Sequence, residues 1–167
     1  MPAYRKADFM IECDVRIGAS DLYDYNLKYT YGKPVNILAE IVGLFAIVYG
    51  IKTVNIPLAV IGALVTVYLP VTLWIRSKQT ALLNPAFKNP LHYVLSDEGL
   101  TVSQGEESQT VEWDKCLKAV STGKSILLFT SKTSATIFPR AQLGEKTTAV
   151  IQFISSHMDP ARVNIKC

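Results

Sequence analysis

The stretch FMIECDVRI, Phe9 to Ile17, reads as a β-strand. Phe9, Ile11, Cys13, Val15 and Ile17 fall on one face, and Met10, Glu12, Asp14 and Arg16 on the other. That period of two marks a strand with one face in a core and one in water. A lone strand leaves its backbone groups and its apolar face without partners. The chain runs on from Ile17 into a long apolar region, so the partner of this strand is expected beyond it.

That region decides the class. The chain has 167 residues, 49% of them hydrophobic, and a mean hydropathy of +0.22. PVNILAEIVGLFAIVYGI, Pro34 to Ile51, carries one charge, Glu40, and IPLAVIGALVTVYLPVTLWI, Ile56 to Ile75, carries none. A helix needs roughly 20 apolar residues to cross the hydrocarbon core, which the second run meets and the first nearly meets. The rival is a buried hairpin in a soluble domain, but a small domain can hardly cover two such helices on every side. The link KTVN, Lys52 to Asn55, is short enough to force antiparallel neighbours, so both flanks leave on one side. Those flanks carry Lys28, Lys33, Arg76, Lys78 and Lys88, against Lys52 alone in the link. The positive-inside rule then places both termini in the cytoplasm of a multi-pass membrane protein. Ala39, Gly43, Ala46 and Gly50 share a face of the first helix, as do Ala59, Gly62, Ala63 and Thr66 of the second. Small residues let backbones approach closely in lipid, so these faces are expected to pack together.

Ser20 to Tyr31, SDLYDYNLKYTY, reads as a short interfacial helix with Ser20 as N-cap and its tyrosines at the bilayer boundary. Its alternative is an ordinary connector whose tyrosines pack on protein. After Ile75 a polar connector, 76–90, contains the breakers Asn84-Pro85 and Asn89-Pro90. Beyond it lie six short alternating segments: LHYVLS, LTVSQ, QTVEW, CLKAVST, SILLFTS and SATIF, joined by hairpin-length links. LGEKTTAVIQFISSHM is an apolar-striped helix ended by Asp159-Pro160. With the first strand this makes seven antiparallel strands and a C-terminal helix, the outline of a pleckstrin-homology-like (PH-like) barrel. The expected fold is therefore an α+β membrane protein, with a two-helix transmembrane hairpin inserted after the first strand of that barrel. The divisions are 1–33 (first strand and interfacial helix), 34–75 (hairpin), 76–90 (connector), 91–160 (remaining strands and helix) and 161–167 (tail).

The order of these parts, with YVLSDEGLTVSQGEESQTVEWDKCLKAV and SILLFTSKTSATIFPRAQL, resembles the YcxB-like family of bacterial membrane proteins. The matching positions are Asp97, Glu98, Gly99, Leu100, Trp113, Asp114, Lys115, Pro139, Arg140 and Leu143. The aromatic usual near Leu143 is absent. The resemblance implies a PH-like domain anchored in the bacterial inner membrane and brings no biochemical activity with it.

Site candidates are few. Trp113 either anchors a partner or closes the end of the barrel, and the second reading is preferred. Arg140 is a candidate to hold a carboxylate such as Asp114. Glu40 is a candidate intramembrane polar site. It lies only about 8 Å from the start of its helix, within reach of headgroups, Lys33, Thr72 or Arg76. Arg76, Lys78 and Lys88 would attract anionic lipid without recognising it specifically. The histidines, His92 and His157, look isolated, and the three cysteines, Cys13, Cys116 and Cys167, are scattered without metal spacing. No HExxH, GxSxG or phosphate loop occurs. The start is charged and strand-like, so no cleavable signal peptide is expected. A formal charge of +3 gives no argument for nucleic acid. No enzyme, cofactor or metal is expected. The partners expected are the lipid bilayer and a protein, this chain itself included. The leading function is a non-enzymatic protein-binding, scaffolding or regulatory element. The alternatives are an immunity protein against a membrane-acting toxin and a subunit of an oligomeric channel or transporter.

Overall fold

The computed structural model describes residues 10–166, so Phe9 and Cys167 lie outside the described residues. The opening stretch forms β1 (Ile11–Val15), buried at every second residue. Its partner is β2 (Leu91–Ser96), antiparallel, with Ile11 opposite Leu95 and Val15 opposite Leu91. The sheet is thus split, as expected, around everything between them.

Three helices fill that interval: α1 (Ala19–Tyr31), α2 (Pro34–Lys52) and α3 (Ile56–Leu83). The N-cap of α1 is Gly18 rather than Ser20, and the Asp21 carboxylate accepts from the Gly18 N–H at 2.9 Å. α2 and α3 are both long and apolar enough to cross a membrane. α3 runs through Arg76 to Leu83, absorbing much of the expected connector, and stops at Asn84 before Pro85. Its 28 residues reach about 42 Å, against a hydrocarbon core of about 30 Å.

β2 continues through β3 (Gly99–Gln104) to β4 (Glu107–Glu112), giving an antiparallel sheet of order β1-β2-β3-β4. At Gly99 a side-chain carbon would run into the Val111 carbonyl, so this crossing point takes glycine. β5 (Lys118–Ser121), β6 (Ser125–Phe129) and β7 (Ala135–Pro139) form a second sheet with β8 (Val163–Asn164), in the order β7-β6-β5-β8.

The expected seven-stranded antiparallel barrel is therefore corrected to two four-stranded sheets, one of them mixed. Two local causes account for it. Between β4 and β5 the chain makes a 3-10 turn, Trp113–Lys115, closed by Cys116 N–H donating to the Trp113 carbonyl at 3.0 Å. Trp113 turns inward there and the meander breaks. The tail after Asp159 then supplies an additional strand, with Val163 and Asn164 lying parallel beside Ala119 and Val120. The C-terminal helix is also divided, into α4 (Arg140–Leu143) and α5 (Lys146–His157), by Gly144 at φ 54°. Val150, Phe153 and Ile154 of α5 enter a core shared with both sheets, including Val15, Leu95, Leu127 and Phe138.

Candidate functional site

The small-residue faces meet. An added Cβ at Gly43 would stand 2.6 Å from Thr66 Oγ1, and one at Gly50 would stand 2.6 Å from the Ala59 nitrogen. At Gly62 it would meet the Gly43 oxygen at 2.6 Å and Ala46 Cβ at 3.0 Å. Thr66 Oγ1 donates within its own helix to the Gly62 carbonyl at 3.0 Å. Ala39 and Ala63 are exposed, outside the tightest part of this seam.

At the base of the hairpin, α1 joins it to the sheets. Asn26 Nδ2 donates to Ser77 Oγ at 2.9 Å, and Ser77, fully buried, donates to the Leu73 carbonyl at 2.8 Å. Tyr23 meets Trp74 edge-on at 5.2 Å. On the sheet side, Thr122 Oγ1 donates to Asp24, and Tyr25 Oη donates to the Thr133 carbonyl at 2.7 Å. Tyr25 also packs on Phe129, and burial pushes its phenol pKa up. These tyrosines pack on protein, the alternative to the expected bilayer boundary. Glu40 finds none of Lys33, Thr72 or Arg76. It accepts from Tyr31 Oη at 2.7 Å. Burial, and then the bond and charge of Glu40, push the Tyr31 phenol up to about 12.

Arg76 and Lys78 are exposed on α3, with the Lys78 ammonium 5.2 Å from the Trp74 ring. Lys88 is exposed in the loop after α3, which Gln104 Nε2 holds by the Ala86 and Asn89 carbonyls. Trp113 is buried, donates to the Ser96 carbonyl at 2.9 Å and packs on Phe153 and His157. Asp114 is exposed, and Arg140 does not hold it. Arg140 donates instead to the Lys166 carbonyl, with its Nε buried and unpartnered. The histidines are not isolated: His92 meets Asp14 at 2.8 Å, and His157 meets Asp97 at 3.0 Å. Burial raises the Cys13 and Cys116 thiols, which disfavours nucleophilic thiolate. Among the described residues no group of acidic, His and Cys side chains is arranged to hold a metal.

Sequence patterns missed a cleft of about 370 Å³ between the two sheets, lined by Leu22, Tyr25, Tyr93, Gln109, Val111 and Ile137 among others. It borders β4, whose residues are exposed apart from the half-buried Val111. Among the described residues β4 pairs only with β3, so its outer edge is open. The outer edge of β1 is covered: Gln142 exchanges hydrogen bonds with the Arg16 backbone at 2.8 and 2.7 Å, and Lys146 donates to the Glu12 carbonyl at 2.8 Å.

Two sheets around one core, with a pair of long apolar helices leaving after the first strand, define an α+β protein with a candidate membrane hairpin. Residues 95–156 match the family model described as YcxB-like protein, bearing out the resemblance over that stretch. No curated protein and no solved structure matches the chain.

Proposed function

We propose that the chain is a membrane-anchored, non-enzymatic binding module, with α2 and α3 crossing the inner membrane and a PH-like sandwich in the cytoplasm. The observation that carries the anchor is exposure. Only 11% and 6% of the most apolar windows of α2 and α3 are buried. Phe45, Leu64 and Tyr68 are each more than 60% exposed, so apolar surface on this scale needs lipid around it. The β1–β2 pairing agrees, because it holds both flanks of the hairpin on one side. For binding, the open edge of β4 beside an apolar cleft suits an extended peptide of a partner protein. Backbone groups of β4 would take the added strand, while the cleft takes alternate side chains.

A photo-crosslinking residue at Gln109, in the full chain in native membranes, tests this. A discrete protein adduct at Gln109, with none from the same probe in the β2–β3 turn at Glu98, is the expected result. No adduct at Gln109, or the same adduct at both positions, removes the strand-addition reading.

A further inference from the structure

A second recess lies away from the cleft, between the end of α1 and β5. Lys28, Lys33, Lys118 and Lys132 line its first part, about 260 Å³, together with Tyr29 and Phe129. Past Lys28 it continues as a polar hollow of about 570 Å³ with Arg140 and Lys166. Among the described residues none of these six cations has a carboxylate partner. Two ammonium groups are stationed over rings: Lys33 Nζ lies 4.6 Å from the Tyr29 centroid and Lys118 Nζ 4.7 Å from that of Phe129. Asp24, bonded to Thr122, puts a carboxylate at the wall of the polar hollow, whereas the four-lysine part has none in its lining, and like charges gathered there make a positive field that an anion relieves.

The place of the recess identifies the anion. Lys33 is the N-cap of α2, the residue at which the apolar hairpin begins. Carried back along the seam, the register that faces Gly50 to Ala59 and Gly43 to Thr66 sets Lys33 level with Arg76. The four lysines therefore open at the level where the bilayer's phosphates would lie. We propose that Lys28, Lys33, Lys118 and Lys132 bind the phosphodiester of an anionic phospholipid, with the acyl chains leaving along α2. This rests on the membrane insertion proposed above. It differs from attraction by Arg76, Lys78 and Lys88, because charges from α1, β5 and the β6–β7 loop converge on one phosphate.

The test uses the full chain in neutral detergent and native mass spectrometry with phosphatidylglycerol, phosphatidylcholine or inorganic phosphate. Phosphatidylglycerol is expected to stay bound and the other two to be lost. Each lysine neutralised should weaken retention roughly five-fold, so Lys118→Gln with Lys132→Gln should weaken it roughly 25-fold. Lys115→Gln, which removes a lysine outside the recess, should leave it unchanged. Equal retention of phosphatidylcholine or inorganic phosphate, or an unaffected Lys118/Lys132 variant, overturns the assignment. Alkaline extraction of membranes separates the two readings. A chain that resists extraction yet ignores phosphatidylglycerol loses only the lipid site, whereas a chain that is extracted loses the anchor as well.

Discussion

Tyr93 sits 2% exposed on β2, edge-on to Phe138 at 5.0 Å, and its ring helps to line the cleft between the sheets. Burial raises its phenol above the ordinary value of 10.0. The folded chain thus holds that proton more tightly than the unfolded chain does. The resulting stability is fully present below about pH 10 and is lost as pH rises through the folded value. The buried thiols of Cys13 and Cys116, raised from 9.0, act in the same direction. The melting temperature of the purified chain should therefore fall as pH rises past about 9–10, and Tyr93→Phe should fall less steeply above about pH 10. Parallel curves for the two proteins would show that the phenol does not titrate with unfolding. Residues of this kind were partly legible beforehand. Alternation alone put Cys13 in the core, where it is 7% exposed. Nothing local told that His157 would reach Asp97 or that Arg140 would reach Lys166, since those contacts depend on how distant elements dock.

Among the elements, α1 was the easiest to place and the hardest to interpret. Its span was legible to within a residue, yet its tyrosines suit a bilayer boundary and a protein surface equally, because each has an apolar body and a polar tip. The partners decided between them. Tyr25 reaches sheet and loop, Tyr23 reaches Trp74, and the Asn26–Ser77 bond fastens α1 to α3. α1 is consequently the strut through which the hairpin is held to the sheets. Ser77→Ala leaves the Asn26 amide facing a methyl group, an unmet donor that costs about 1–3 kcal/mol. Asn26→Ala should cost less, because Ser77 keeps its bond to the Leu73 carbonyl. Denaturant titration in detergent measures both, and the double variant should be less destabilised than the two single costs combined. Strict additivity would mean that the bond couples nothing. By contrast the α2–α3 seam was legible from spacing, because close backbone approach can be made only by small residues recurring on one face.

At the scale of the molecule, the split sheet is the feature that alternation in nine residues announced and that the β1–β2 register bears out. The division into two sheets was not announced. It depends on Trp113 turning inward and on a two-residue strand, and neither leaves a periodic trace. The split sheet also constrains topology more firmly than charge counting does. Because β1 and β2 pair across the hairpin, its two ends cannot lie on opposite sides of a bilayer, so on the insertion proposed above the link Thr53–Asn55 is the part carried across. A thiol at the link should then react with a membrane-impermeant maleimide in intact bacterial spheroplasts, and a thiol on the sandwich should not. Cys13 and Cys116 are buried with raised pKa values and should stay silent at neutral pH. In a Cys167→Ser background, Val54→Cys, at an 81% exposed site, should label from outside. Lys132→Cys, exposed beside β6, should label only after permeabilisation. Labelling of both from outside, or of both only after permeabilisation, would mean that the hairpin does not carry its link across the bilayer. The exposed flanks of α2 and α3 would then need a covering other than lipid.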